Sequence, residues 1–347
     1  MAPVLLRVLT YNILLGGRDR WSPLSEMLAA ADADLVALQE VDRPEPCREV
    51  ADALGYEMVF GRANMPRHQA VLSRWPVVER RNHRDPARFL RNSLELTVAV
   101  PAGASISHLR LHTVHLPAAF QRRGRGEAER VRELRAVQEH AARAPATPHL
   151  IVGDCNALAP GDPVAASAFF ERIRRLRRSG VLAAAGATAP APPWLERVAR
   201  WRTGPSGPDP DRGSREPISA ALHPGLPRLP WLLHPLMESI PRGSGTDLLL
   251  GSLLPRDAIQ VLLDAGYRDC RPDASGGQPA FTCPTYEPAV RIDYVFASPE
   301  LAGAFEHAVV LGQRGRWRAT ARAASDHFPV LATFRLDRAG RPGDPGS

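Results

Sequence analysis

Residues 149–156 read His-Leu-Ile-Val-Gly-Asp-Cys-Asn, an apolar run that passes through a glycine into polar side chains. A short run of apolar and β-branched residues predicts a buried strand, and the glycine predicts a tight turn at its end. Asp154 and Asn156 would then stand at the rim of a sheet, where a rigid scaffold can present them to a cleft. This stretch therefore predicts a sheet-based fold with a functional site at one edge.

The same pattern, a polar side chain at the end of an apolar strand, recurs along the chain. It is found at Asn12 after 8–11, Glu40 after 35–39, His115 at the end of 111–115, Asp293 within 291–295, and in Ser325-Asp326-His327. Each has an ordinary explanation on its own: a turn or cap for Asn or Asp, a surface charge for Glu40, a core side chain for His115. Together they supply the carboxylates, amides and imidazoles that a hard cation and a phosphoryl group require. The set favours a divalent-metal-dependent phosphoester hydrolase.

Strand and helix signals alternate along the chain. Strands are predicted over 4–10, 34–40, 70–73, 77–79, 93–100, 107–115, 149–153, 291–296 and 330–334, and helices from a Ser22-Pro23 cap to about Ala31, over 48–54 with a stop at Gly55, and over 127–142 and 257–263. Because no long helix separates the strands between 70 and 115, we expect adjacent strands there to pair antiparallel. The pattern is typical of an α/β protein.

Composition fits an ordinary packed protein of 347 residues, of which 44% are hydrophobic. The formal charge of +7 is carried by arginine alone, since the sequence contains no lysine. A guanidinium is a forked donor suited to phosphate. A coding bias toward Arg, Ala, Pro and Gly explains the arginine excess at least as well, so the charge only slightly favours a polyanionic substrate.

Cysteines and apolar runs indicate the compartment. The four cysteines lie far apart without a Cys-x-x-Cys pair, so neither a zinc knuckle nor a disulfide framework is indicated. The sequence shows no signal-peptide pattern and no run of about 20 apolar residues. We therefore expect a soluble, cytoplasmic protein.

The character of the sequence changes between residues 162 and 256, where Pro, Gly, Ala and Trp accumulate. One interpretation is a lid or a surface for membranes or nucleic acid, with Trp194, Trp201 and Trp231 as apolar anchors. The other is a partly disordered excursion with helices packed on the main domain. We accordingly predict a catalytic domain in two parts, 1–161 and 257–336, with an insertion at 162–256 and a flexible tail at 337–347.

Six motifs resemble, in order, those of the endonuclease/exonuclease/phosphatase superfamily, which has the DNase I-like fold. They are Thr10-Tyr11-Asn12, Leu38-Gln39-Glu40-Val41, the His115-Leu116 strand end, Gly153-Asp154-Cys155-Asn156, Arg291-Ile292-Asp293-Tyr294, and Ser325-Asp326-His327-Phe328-Pro329-Val330. The stretch 69–76 also resembles the family's Ala-x-Leu-Ser-Arg-x-Pro strand. The resemblance implies a four-layer αββα sandwich, in which two mixed β-sheets lie face to face, helices flank them, and the motifs converge at one edge.

The resemblance also implies a metal site. Glu40 would be the principal ligand, with Asn12 beside it and Asp326 completing the coordination. Oxygen ligands of this kind favour Mg²⁺, with Mn²⁺ as a substitute. Whether one or two metals bind stays open.

The resemblance assigns the remaining motif residues to the chemistry. His327 would face the scissile phosphate, and Asp293 would hydrogen-bond the far nitrogen of its ring. Asp154 would orient and deprotonate the attacking water, and Asn156 would steady a nonbridging oxygen or the nucleophile. His115 would donate to the phosphate or the leaving group. The identity of the base stays open.

The substrate is not specified by these motifs. The first hypothesis is a nuclease or general phosphodiesterase acting on nucleic acid, supported by Arg122, Arg123 and Arg125, although a solvated loop explains these arginines about as well. The second is a sphingomyelinase-like or other phospholipid phosphodiesterase, with the tryptophan-bearing insertion as an interfacial lid. The third, a non-catalytic binding module, is disfavoured because every charged motif residue is present. We expect a monomer.

Overall fold

The computed structural model describes residues 3–118, 125–144, 147–168, 171, 241–274, 277 and 279–336. The strands are β1 (Val4–Asn12), β2 (Leu35–Val41), β3 (Glu57–Gly61), β4 (His68–Ser73), β5 (Val77–His83), β6 (Ser93–Ala99), β7 (His108–His115), β8 (His149–Asp154), β9 (Arg268–Asp269), β10 (Asp293–Ala297), β11 (Phe305–Val310) and β12 (Val330–Leu336). The helices are α1 (Trp21–Ala31), α2 (Pro44–Ala53), α3 (Gly126–Ala141), α4 (Ser244–Ser252), α5 (Asp257–Asp264), α6 (Pro299–Ala302) and α7 (Arg318–Ala324).

The strands form two six-stranded sheets, ordered β11-β12-β1-β2-β4-β3 and β5-β6-β7-β8-β10-β9. A parallel pair, β1–β2 in the first sheet and β7–β8 in the second, lies among antiparallel neighbours. The carboxyl ends of a parallel pair and the amino end of an antiparallel neighbour lie at the same edge of a sheet. Each sheet therefore brings the carboxyl ends of its parallel pair and the amino ends of the two antiparallel neighbours to one edge.

The two sheets pack face to face through one apolar core. Along β1, Leu6 and Val8 belong to this inter-sheet core, whereas Leu9 and Tyr11 pack on the outer face among helices. Side chains alternate between the two faces of a strand, so a strand buried on both faces reads as an unbroken apolar run. That is why the central strands are the ones that sequence patterns find most readily.

Helices cover the outer face of each sheet. Leu24, Met27 and Leu28 of α1 lie at helical spacing and pack on the first sheet, together with side chains of α2 and α7. On the second sheet, Leu134 of α3 and Ile259 of α5 pack in the same way. The result is the four-layer αββα sandwich expected from the sequence.

Two local predictions are wrong. Strand β4 does not pair with β5, because β2 and β3 already occupy both edges of β4. The chain instead crosses to the other sheet at Trp75, which is buried in the inter-sheet core. Helix α1 begins at Trp21, directly after a 3-10 turn, so Ser22 lies inside the first turn and does not cap it.

Most of the predicted insertion, 172–240, and the predicted tail, 337–347, lie outside the described residues. So do Trp194, Trp201, Trp231, Arg122 and Arg123. The division into domains therefore stays a prediction. Among the residues that the structure describes, no helix has the length and apolarity needed to cross a bilayer.

Candidate active site

Strand termini from both sheets meet at one edge of the sandwich. In the first sheet, β1 ends at Asn12 and β2 carries Glu40 close to its end. In the second, His115 and Asp154 are register partners at the ends of β7 and β8, and Asp293 stands opposite Asp154 at the start of β10. All five side chains are buried. The order and direction of the strands thus bring together residues that are far apart in sequence.

The carboxylate of Asp154 lies at the centre of this cluster. Its Oδ2 accepts a hydrogen bond from Asn12 Nδ2 across the two sheets at 3.0 Å, and another from Asn156 Nδ2 at 3.2 Å. Its Oδ1 accepts the backbone N–H of Asn156 at 2.9 Å. Two imidazoles approach the same Oδ2, His115 Nε2 at 3.7 Å and His327 Nε2 at 3.9 Å. One oxygen is therefore within 4 Å of four other predicted site residues.

The turn that carries Asp154 depends on its backbone conformation. Gly153 has φ 145°, and a Cβ there would lie 1.9 Å from the carbonyl oxygen of Val114 on the neighbouring strand. Only glycine fits such a close approach. Asn156 adopts φ 46°, a left-handed conformation that Asn tolerates, and its Nδ2 also donates to Leu116 O at 3.0 Å. These contacts tie the turn to the end of β7.

Glu40 is aimed by a β-bulge. The register of β2 against β4 shifts between Gln39 and Val41, and Glu40 itself has φ 65°. Bulges and positive φ values in non-glycine residues are commonly found beside functional sites, where they redirect a side chain. The Glu40 Oε2 accepts the backbone N–H of Leu15 at 2.8 Å, and Oε1 lies 3.9 Å from His115 Nε2. The carboxylate is thus anchored by one oxygen and faces the cluster with the other.

His327 and Asp293 form a hydrogen-bonded pair. The ring donates from Nδ1 to Asp293 Oδ2 at 2.9 Å, which leaves Nε2 on the side of Asp154. Ser325 Oγ accepts the backbone N–H of His327 at 3.2 Å and donates to Asn12 O at 2.7 Å, which fixes the segment against β1. Burial lowers the pKa of His327, but the charges of Asp293 and its neighbours outweigh burial and raise that pKa well above its usual value. The ring is therefore an imidazolium at neutral pH.

The other two central groups have shifted pKa values of their own. Burial raises the pKa of Asp154 to about 7, with Asp293 acting in the same direction and His327 opposing it. Burial lowers the pKa of His115 well below its usual value, and the positive charges of Arg91, His327 and Arg67 lower it further. His115 is therefore neutral, and its Nδ1 is buried without a hydrogen-bond partner among the described residues. The site pairs a cationic ring with a neutral one around a carboxylate poised to exchange a proton.

The acidic and histidine side chains at this edge could hold a divalent cation. The ligand atoms of Asp154, Asp293 and His327 lie within 4.8 Å of one another. Within the described part of the chain, Asp293 Oδ1 is buried and accepts no hydrogen bond, so it retains capacity for a ligand. Burial lowers the pKa of Arg20, whereas the negative charges of Asp326 and Glu40 act in the opposite direction. The donor set thus fits a hard cation in its chemistry.

Asn12 has a different environment from the one expected of a metal ligand. Its Oδ1 accepts the backbone N–H of Leu14 at 3.0 Å, and its Nδ2 is bound to Asp154. In this arrangement Asn12 positions Asp154, and its role as a ligand stays a prediction.

Three arginines at the site were missed by sequence reasoning. Buried Arg20 donates to the backbone oxygen atoms of Ile13, Leu14 and Ala324, which joins the start of the site to its end. The Nη1 of Arg67 lies 3.5 Å from Glu40 Oε1, and Arg91 is buried close enough to His115 to lower its pKa. Because the chain has 44 arginines and none of these three follows an apolar strand, no pattern in one sequence distinguishes them.

Comparisons with known proteins show the family of this chain. The model of the endonuclease/exonuclease/phosphatase family matches residues 9–327. No curated protein matches the sequence.

Solved structures share the fold at low sequence identity. An endonuclease/exonuclease/phosphatase from Beutenbergia cavernae is 19% identical with TM-score 0.55, over 96% of this chain and 72% of that chain. The 3′ phosphatase NExo from Neisseria, bound to a product DNA hairpin, is 16% identical with TM-score 0.55, over 95% and 99%. A humanized D. rerio TDP2 is 17% identical with TM-score 0.52, over 95% and 99%.

Proposed function

Because this chain belongs to the endonuclease/exonuclease/phosphatase family, we propose that it is a divalent-metal-dependent phosphodiesterase, most directly a nuclease, in which water attacks phosphorus in line with the leaving group. The observation that carries the proposal is the environment of Asp154. One of its carboxylate oxygens lies within 4 Å of Asn12, His115, Asn156 and His327, and these donors come from both sheets. Such a constellation suits in-line displacement, because charge develops on several oxygens of the phosphoryl group at once.

Asp154 is assigned as the general base that orients and deprotonates water. A base works best when its pKa lies near the working pH, and burial raises the pKa of Asp154 to about 7. Asn12 and Asn156 hold the carboxylate through three hydrogen bonds. Asn156 is also placed to steady the nucleophile or a nonbridging oxygen.

His327 is assigned as the cation that faces the scissile phosphate. Its Nδ1 is bound to Asp293, so the proton on Nε2 is the one available to a phosphate oxygen. The pair resembles other carboxylate–histidine units, in which the carboxylate fixes the orientation of the ring and raises its basicity. His115, which is neutral, would donate a single N–H to the phosphate or the leaving group.

Glu40 is assigned as the principal metal ligand, with Asp326 and Asn12 as further ligands. Mg²⁺ is the expected ion and Mn²⁺ a substitute, since carboxylate and amide oxygens suit hard cations. A bound divalent cation would neutralise the negative charge that develops on the phosphoryl oxygens.

Nucleic acid is the proposed substrate class. The formal charge of +7 favours a polyanion, and Arg67 and Arg91 place two guanidiniums at the site itself. Among the proteins of similar fold, NExo was solved with a product DNA hairpin and D. rerio TDP2 with a single-strand DNA product.

A substrate panel tests the proposal. Purified protein with Mg²⁺, with Mn²⁺ or with excess chelator is assayed on DNA, RNA, sphingomyelin vesicles and phosphoinositides. We expect metal-dependent cleavage of a nucleic acid, and in ¹⁸O-labelled water we expect the label in the phosphate product. Cleavage of lipid alone would replace nucleic acid by the phospholipid alternative, and label in the alcohol product would rule out attack at phosphorus.

A further inference from the structure

We propose that Cys283, Asp326 and His327 form a second, soft-metal site that binds Zn²⁺ or Cd²⁺ and thereby inhibits the enzyme. The thiol, carboxylate and ring of these residues have ligand atoms within 4.8 Å of one another. All three side chains are buried. None of the chemistry proposed above uses the thiol.

The backbone fixes Cys283 beside the Ser325-Asp326-His327 segment. Phe328 N donates to Thr282 O at 2.7 Å, and Thr285 N donates to Asp326 O at 2.8 Å. Thr285 Oγ1 also donates to Ser325 O at 2.8 Å. These bonds hold the two stretches side by side over four residues. The position of the Cys283 backbone is therefore set by main-chain hydrogen bonds.

The separation of the ligand atoms can be compared with that around a small tetrahedral ion. Zn²⁺ bonds of about 2.0–2.3 Å place ligands roughly 3.5 Å apart. The three ligand atoms all lie within 4.8 Å of one another, so they would have to move closer together to hold the ion. Three protein ligands leave a fourth position for water or substrate.

The donor types determine which ion binds. A bound ion would displace the thiol proton of Cys283 and one ring proton of His327. The resulting thiolate and imidazole select Zn²⁺ and Cd²⁺, whereas Mg²⁺ prefers oxygen ligands in octahedral geometry. The hard-cation site at Glu40 and the soft-cation site at Cys283 would thus bind different ions, although Asp326 is a proposed ligand in both.

A further observation at the same place points to a missing ligand. Asp293, bound to His327, has a buried Oδ1 that accepts no hydrogen bond within the described part of the chain. Burial raises the pKa of the Cys283 thiol to about 12, and the charge of Asp293 acts in the same direction. A cation at Cys283 would give that oxygen a charged neighbour.

Cys283 differs from the other cysteines in its surroundings. All four are described, unpaired and buried. Cys47 and Cys270 lie in apolar clusters. Within the described residues, Cys283 is the cysteine that joins a group of potential metal ligands.

The consequence for activity rests on the proposed function. A soft cation at this site would engage His327 and Asp326, which removes the phosphate-facing ring and one hard-cation ligand together. Zn²⁺ should therefore inhibit hydrolysis even when Mg²⁺ is in large excess.

Metal titration monitored by ultraviolet absorption tests the site without any assay of activity. Cd²⁺ added to the full chain should produce thiolate-to-Cd²⁺ charge-transfer absorption that saturates at one ion per chain. Cys283→Ala and Cys283→Ser should each lose the band or bind Cd²⁺ at least about 10-fold more weakly, as perturbed metal sites do. Cys47→Ala, which removes a thiol from an apolar cluster, should keep it.

Two results would overturn the site: no charge-transfer band in the wild-type protein, or a band that persists in both Cys283 variants. Circular dichroism of each variant establishes that it is folded, and two different replacements keep the comparison valid if one of them misfolds.

A parallel assay separates this inference from the proposed function. Inhibition by Zn²⁺ is expressed relative to the Mg²⁺ rate of the same variant, and we expect the concentration for half inhibition to rise at least about 10-fold in the Cys283 variants. A Cys283-dependent Cd²⁺ band in a protein that hydrolyses no phosphoester would uphold the metal site and reject the proposed function. Equal inhibition of wild-type and Cys283-substituted protein would reject the regulatory role.

Discussion

Asp154 has the most constrained side chain of the site. Three hydrogen bonds from Asn12 and Asn156 hold it, yet burial leaves its ionised form unfavourable and raises its pKa to about 7. A carboxyl in this state binds a proton near neutral pH, which is the property that a general base needs.

The pH profile of the wild-type enzyme should show this carboxyl. Below pH about 7 Asp154 is protonated and cannot accept a proton from water, so log kcat/KM should fall by about one for each pH unit lost. Asp154→Asn should lower kcat on the order of 10²–10⁴-fold and remove this acidic limb. Steady-state rates on bis(p-nitrophenyl) phosphate measure both. An unchanged acidic limb in Asp154→Asn would assign the base to another residue.

Asp154→Asn should not lower the free energy of unfolding at neutral pH. The folded-state pKa of Asp154 lies above the unfolded value of about 3.9, so the stability linked to its proton is present below pH about 4 and is lost as the pH rises through about 7. Asparagine carries no charge, so the variant does not lose stability through ionisation at this position. Thermal unfolding at pH 8 should give Asp154→Asn a Tm equal to or above that of the wild type, which separates lost catalysis from lost folding.

Sequence patterns identify some residues of the proposed site and miss others. Asn12, His115 and Asp154 end apolar strands, and topology alone carries strand ends to a common edge. Arg20 and Cys283 have no such marker, because their importance arises from contacts with segments 304 and 44 residues away, at Ala324 and His327. Such contacts exist only once the tertiary fold has formed.

The pairing of strands β7 and β8 positions two side chains of the proposed active site. They run parallel and in register from Arg110 opposite His149 to His115 opposite Asp154, so one pairing aligns two side chains of the proposed active site. The register depends on Gly153, where the neighbouring carbonyl of Val114 occupies the place of a Cβ.

Gly153→Ala should therefore displace Asp154 and destabilise the sheet. A Cβ 1.9 Å from Val114 O, at φ 145°, requires the strands to move apart, and we expect a loss of at least about 2 kcal/mol in the free energy of unfolding. Gly303→Ala is the matched control, because a Cβ there meets no atom within 4 Å. Urea unfolding of the two variants makes the comparison, and equal midpoints would contradict the proposed close approach.

The strands themselves were largely predictable, and their partners were not. Apolar runs located β1, β2 and β8 within two residues, because each is buried on both faces. The change of sheet between β4 and β5 was missed, since a three-residue connection is as compatible with a hairpin as with a crossing. The strand pairing, with β4 between β2 and β3, and the burial of Trp75 between the sheets distinguish the two.

At the scale of the whole molecule, charge is the property that bears on the substrate. The formal charge of +7 with arginine as the only basic residue type besides histidine favours binding of a polyanion. Composition could not determine more than this, because coding bias produces the same arginine content.

Salt dependence should reveal whether the substrate is nucleic acid. Displacement of counterions from a nucleic acid makes affinity fall steeply with salt, so KM for a DNA substrate should rise at least about 10-fold between roughly 50 and 200 mM NaCl. KM for bis(p-nitrophenyl) phosphate, which carries a single charge, should change less than about twofold over the same range. Parallel salt responses of the two substrates would argue against a nucleic-acid site, and a rate that follows vesicle surface would favour the lipid alternative.

The central claim is that Asn12, Glu40, His115, Asp154, Asn156, Asp293 and His327 form one phosphodiesterase site. The most direct test is the rate of bis(p-nitrophenyl) phosphate hydrolysis with Mg²⁺ by wild-type protein, His327→Ala and His307→Ala, the last being the same change at an exposed histidine. We predict turnover by the wild type and by His307→Ala, a loss on the order of 10²–10⁴-fold in His327→Ala, and no turnover after chelation. Wild-type rates in His327→Ala, or turnover that survives chelation, would contradict the claim.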